Sequence, residues 1–87
     1  MALEEDFTAA QTRVRGLSRT PDSSELLELY ALYKQGSSGD VTGSRPGMLD
    51  FKGRAKYDAW ATKKGTARDA AKQAYVELVG KLTVKYG

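Results

Sequence analysis

The sequence predicts an all-α fold, a four-helix bundle with one long overhand connection between its second and third helices. Apolar residues recur at steps of three and four in four separate stretches, and no stretch alternates as a half-buried strand would. About fourteen residues rich in glycine and serine divide the second stretch from the third. Eighty-seven residues make one domain, 1–87, of which only about 60–65% of the unfolded surface is buried on folding. Its core must be economical.

In the first helix, Leu3, Phe7, Ala10, Val14 and Leu17 form one stripe, and Glu4, Glu5 and Asp6 sit in the first turn where the macrodipole favours negative charge. Gly16 weakens its end, and the run to Pro21 reads as the connection. Asp22 or Ser23 can cap the second helix, with Glu25 three residues after Asp22 as in a capping box. Leu26 to Tyr33 is apolar nearly all round, so this helix is expected to be covered on more than one side. From Gly36 to Leu49 the chain carries four glycines, three serines and Pro46 without apolar period, and these glycines read as turn residues. The third helix is expected from Phe51 or Lys52 to Lys63, ended by Lys64-Gly65. Thr66 with Asp69 marks the cap of the fourth. There Ala67, Ala70, Ala71, Ala74, Tyr75, Leu78, Val79, Leu82 and Tyr86 follow in mostly helical steps, with small residues first.

Composition narrows the function. Cysteine and histidine are both absent, which removes disulfides, thiol nucleophiles, the usual zinc ligands and the commonest general acid/base. No triad or carboxylate dyad is visible, so no catalytic residue, no metal ligand and no resident cofactor is expected. The acidic N-terminus is unlike a signal peptide and no apolar run approaches a membrane span, so a cytoplasmic protein without stable membrane insertion is expected. Residues 1–50 hold 5 Lys/Arg against 8 Asp/Glu, and residues 51–87 hold 9 against 3. The basic half would attract an anion, and a helical nucleic-acid-binding or adaptor module using it is the alternative reading. A net charge of +3 weighs against nucleic acid as the partner.

The most informative stretch is Tyr30-Ala31-Leu32-Tyr33-Lys34-Gln35-Gly36. On a helix, Tyr30, Tyr33 and Lys34 lie at i, i+3 and i+4, while Lys52 and Lys56 repeat the i, i+4 spacing on the next helix. Two phenol rings near three ammonium groups suit a nucleotide, since a ring takes a base at roughly 1–3 kcal/mol and lysines neutralise phosphate. Tyrosines on a helical face belong more often to a core, but two hydroxyls one turn apart each need a partner, which a partly open cleft provides. Lys63, Lys64, Lys72, Lys81 and Lys85 read as solvated.

Tyr30-Ala31-Leu32-Tyr33-Lys34-Gln35, Gly39-Asp40 and the run from Arg45-Pro46-Gly47-Met48-Leu49-Asp50-Phe51-Lys52-Gly53 to Arg54-Ala55-Lys56-Tyr57-Asp58-Ala59-Trp60 closely resemble the acyl-CoA-binding protein family. The likeness runs from Phe7 to Lys85-Tyr86-Gly87. It implies an up-down-down-up bundle that binds, buffers and transports medium- to long-chain acyl-CoA esters inside the cell without chemistry. It implies that adenine stacks on Tyr30 and Tyr33 and that the ribose 3′-phosphate meets Lys34 and Lys56. Tyr75, Lys52 and Arg15 would add contacts, and the acyl chain would lie near Leu27 and Ala10. Tyr57 stands where an indole is frequent, Arg54 and Arg15 where lysine is usual, and Gly36 where a slightly larger residue is common; Lys63 replaces an often apolar residue. A stand-alone monomer is expected, with no nucleic acid partner and at most transient contact with membranes or acyl-CoA-using enzymes.

Overall fold

The computed structural model describes residues 2–87; Met1 lies outside them. Four helices form and, among the described residues, no strand: α1 (Leu3–Arg15), α2 (Ser23–Ser38), α3 (Phe51–Ala61) and α4 (Arg68–Tyr86). Their directions follow from the bonds that tie their ends. Ser18 Oγ donates to the Gly87 carbonyl and Lys72 pairs with Glu4, so α1 and α4 run the same way. Lys85 and Tyr86 reach Glu25 at the start of α2, and Arg68 donates to Ser38 O at its end, so α2 opposes α4. Phe51 and Lys52 lie beside Ser23 and Leu26, while Lys34 lies over Trp60, so α3 follows α2. The order is up-down-down-up, with α4 packed on α1 and α2, and α3 on α2.

The core forms where these stripes meet: Phe7 and Ala10 of α1, Leu29 and Leu32 of α2, and Ala71, Tyr75, Val79 and Leu82 of α4. Val14 and Leu17 close its margin as their spacing predicts, but Ala67 and Ala70 are exposed. The buried stripe of α4 starts only at Ala71.

The predicted capping box opens α2. Asp22 Oδ1 accepts from Glu25 N–H at 2.9 Å, and Glu25 Oε1 accepts from Asp22 N–H at 3.0 Å. At its other end α2 continues past Gln35 to Ser38, three residues into the stretch expected to be loop. Gly36 is not a turn residue. A Cβ there would stand 2.9 Å from Lys72 Cγ and 3.4 Å from Phe7 Cζ, so the missing side chain lets α4 approach α2. Gly39, with φ +84, ends the helix.

Residues 39–50 then run back along the bundle, fastened to α3. Trp60 Nε1 donates to Gly39 O at 2.8 Å, the Tyr57 hydroxyl donates to Gly43 O at 3.0 Å, and Arg45 makes a two-pronged ion pair with Asp58. α3 stops at Ala61, short of the predicted Lys63, because the chain passes into successive turns through Gly65 (φ +91). The N-cap of α4 is Ala67, with no side-chain bond, because Thr66 is held in the preceding turn through its N–H to Lys63 O.

Candidate ligand-binding site

Two adjoining depressions share Tyr30 as a common wall. A cleft of about 230 Å³ is lined by Gln11, Val14, Arg15, Leu29, Tyr30, Tyr33 and Tyr75. A groove of about 630 Å³ between α2 and α3 is lined by Leu26, Leu27, Tyr30, Phe51, Lys52 and Lys56, with Ser23 and Ala55 completing it. Among the described residues, no carboxylate lines either one.

The cleft is aromatic because three helices each send a ring to it or behind it. Phe7 stacks near Tyr33 at a centroid distance of 6.0 Å and meets Tyr75 edge-on at 5.2 Å, while Tyr33 and Tyr75 stand 6.4 Å apart. Tyr33 remains 38% exposed and Tyr75 only 4%. Burial pushes the Tyr75 phenol pKa up, opposed by Arg15 and reinforced by Tyr33, so it stays a neutral hydroxyl. The expected partly open cleft is thus present, with Tyr33 at its opening and Tyr75 at its floor.

The groove is the product of α2 being apolar on two sides. Leu29 and Leu32 face the core, which leaves Leu26 and Leu27 turned toward α3. Lys56 Nζ lies 5.3 Å from the Tyr30 ring centroid, a cation held against the wall that the two depressions share. Lys52 lies one turn earlier along the same rim.

Of the eight residues singled out in the sequence, Arg15, Tyr30, Tyr33 and Tyr75 line the cleft, and Leu27, Lys52 and Lys56 line the groove with Tyr30. Lys34 lines neither; its ammonium lies 4.8 Å from the centroid of the Trp60 ring, on the α3 side of α2. Ala10, expected near an acyl chain, is fully buried in the core and lines neither depression. Three lysines read as solvated are engaged instead. Lys63 pairs with Glu28, Lys85 with Glu25, and Lys72 with Glu4 while covering the Phe7 ring.

Sequence reasoning did not single out Gln11, Leu26, Phe51 or Ala55 for the site. The surplus of apolar positions on α2 was the available signal for Leu26. It also passed over Gln35, buried beside the aromatic motif. Its amide donates to Asp40 Oδ1 at 2.9 Å and to Thr66 O at 2.8 Å, and Asp40 also accepts from Gly65 N–H. That network ties the end of α2 to the turn before α4, and the Gly65 and Gln35 bonds hold the Asp40 carboxyl below its usual range. Among the described residues no group of acidic, histidine or cysteine side chains could hold a metal ion, and no helix is long and apolar enough to cross a membrane.

The fold and site together define a class: a small helical bundle whose aromatic, cation-flanked cleft opens beside an apolar groove. The chain matches the family described as "Acyl CoA binding protein" over residues 4–79 and belongs to that family. It is 53% identical over 81 residues to acyl-CoA-binding protein homolog 1 of Caenorhabditis elegans, covering 93% of this chain and 94% of that one. Against the Drosophila melanogaster acyl-CoA-binding protein homolog, identity is 45% over 84 residues, covering 97% and 98%. The crystal structure of Oryza sativa acyl-CoA-binding protein 2 superposes with a TM-score of 0.92 at 34% identity, covering 97% of this chain and 93% of that one.

Proposed function

We propose that residues 1–87 act as one binding domain for medium- to long-chain acyl-CoA esters, which it buffers and transports in the cytoplasm as a monomer and without chemistry. The observation that carries this reading is the pair of depressions joined at Tyr30, one aromatic and one apolar, with Lys52 and Lys56 on the rim. An acyl-CoA ester has the same division: a planar base, phosphates and a long hydrocarbon tail.

In this reading the adenine stacks against Tyr30 and Tyr33, exposed Arg15 offers a donor beside them, and the Tyr75 hydroxyl offers one at the floor of the cleft. Lys56 and Lys52 take phosphate oxygens; Lys34 joins them by swinging from the Trp60 face, a movement its flexible stem allows. The tail lies along Leu27, Leu26, Phe51 and Ala55. No step calls for a metal or another cofactor, and the thioester meets no placed nucleophile or base. Recovery of intact thioester after prolonged incubation checks that point, and free acid in proportion to protein would contradict it.

Polar anchors then fix the head group while tail burial supplies much of the affinity. Each buried methylene is worth about 0.8 kcal/mol, so lengthening the tail by two carbons should tighten binding about tenfold until the groove is full. A series of acyl-CoA esters in calorimetry tests this. Affinity independent of tail length would overturn the role given to the groove.

A further inference from the structure

The aromatic cleft lies between α1 and α2, with Tyr75 of α4 at its floor. Tyr30 and Tyr33 of α2 line one side, and Gln11, Val14 and Arg15 of α1, at i, i+3 and i+4, line the other. Of the polar side chains in that lining, Gln11 alone has no part in the contacts assigned above. It follows Phe7 by one helical turn, and Phe7 stacks near Tyr33 at 6.0 Å, so Gln11 stands on the face of α1 turned toward the tyrosines. Gln11 is half-buried, and among the described residues its carboxamide bonds no protein group. A carboxamide beside three phenol rings gives up hydration that an aliphatic residue would not, a cost that a pairing ligand offsets.

We propose that Gln11 reads the exocyclic amino group of the adenine and thereby sets the base specificity of the site, an inference that rests on the acyl-CoA reading. A carboxamide presents an acceptor beside a donor in one plane. The edge of adenine presents its 6-amino donor beside a ring-nitrogen acceptor, so the two groups pair in a bidentate contact. No other side chain lining the cleft has that pattern, because the Arg15 guanidinium only donates and each phenol carries a single oxygen. Stacking on Tyr30 and Tyr33 does not select a base, since every base has a π-face. The rings therefore hold a purine and Gln11 identifies it. The charge pattern agrees: Lys52 and Lys56 line the groove beyond the wall formed by Tyr30, which draws phosphates away from Gln11 and leaves it the uncharged base.

The test compares palmitoyl-CoA with the analogue in which hydrogen replaces the 6-amino group of the purine. The analogue keeps the base plane, the phosphates and the tail, so only the amino contact differs. Calorimetric titration of the parent should give about three- to tenfold tighter binding of palmitoyl-CoA than of the analogue. Gln11→Leu keeps a side chain of similar volume without the carboxamide and should bind the two esters with equal affinity, while thermal unfolding of the same samples verifies its fold. Tight and equal binding of both esters by the parent would overturn the inference and leave the acyl-CoA reading standing. So would a Gln11→Leu chain that weakens toward both esters but keeps the parent's preference, because Gln11 would then act by shape alone. Binding of neither ester by the parent would overturn the acyl-CoA reading and this inference with it. The parent's preference is measured without any substitution, so the proposal can fail even if the variant does not fold.

Discussion

Replacing Tyr33 by alanine separates the ring's part in binding from its part in folding. The ring is 38% exposed and meets the buried rings of Phe7 at 6.0 Å and Tyr75 at 6.4 Å. Losing those aromatic contacts should cost about 1–2 kcal/mol. A chain of 87 residues has a stability of about 4–13 kcal/mol, so Tyr33→Ala should remain folded at room temperature. A base stacked on the ring is worth about 1–3 kcal/mol, which predicts a loss of about 5- to 150-fold in affinity for palmitoyl-CoA. Calorimetric titration at 25 °C measures the loss, and thermal unfolding on the same samples verifies the fold. Tyr33→Phe keeps the ring and should bind nearly as the parent does. If Tyr33→Phe were as weak as Tyr33→Ala, the hydroxyl would be the active group and the stacking argument would fail. Undiminished affinity in Tyr33→Ala would remove Tyr33 from the site.

Trp60→Ala should act on stability first, because it removes a buried indole, its 2.8 Å bond to Gly39 O and the surface under Lys34. The expected loss is about 3–5 kcal/mol, and equal urea midpoints for variant and parent would contradict it. Glu25 accepts from Lys85 at 2.8 Å and from Tyr86 at 2.5 Å, and these bonds, with the Asp22 amide, lower its pKa from 4.5 to about 2. A depressed folded-state pKa stabilises the fold above the unfolded value, and that contribution is lost as pH falls from about 4.5 toward 2. Thermal midpoints of Glu25→Gln and the parent should therefore converge over that interval, and a constant gap would refute the assignment. Gly36→Leu should destabilise by forcing α2 and α4 apart, since even a Cβ stands 2.9 Å from Lys72 Cγ; an unchanged midpoint would show that Lys72 yields freely.

The sequence disclosed most of this because its apolar stripes, the Asp22–Glu25 box and the long connection each have a local physical cause. What it hid depends on distant pairs. Lys72 reads as a surface lysine until α1 brings Glu4 and Phe7 beside it. Gly36 reads as a turn residue until α4 is seen to need its missing side chain. Tyr30, Tyr33 and Lys34 do share neighbouring positions on α2, as their spacing requires. However, the helix surface divides between them, sending the tyrosines to the cleft and Lys34 over Trp60. Helical spacing gives the face and not the neighbour. Leu26 and Phe51 escaped notice because an apolar residue destined for a groove carries the same pattern as one destined for a core.

The most direct test of the central claim is isothermal titration of the protein at moderate salt with palmitoyl-CoA, CoA and palmitate separately. Tight one-to-one binding of the thioester, with both halves far weaker, is the predicted result, because only the intact ester fills the cleft and the groove together. CoA binding as tightly as palmitoyl-CoA would leave the groove without a role, and no heat with any of the three would contradict acyl-CoA carriage altogether.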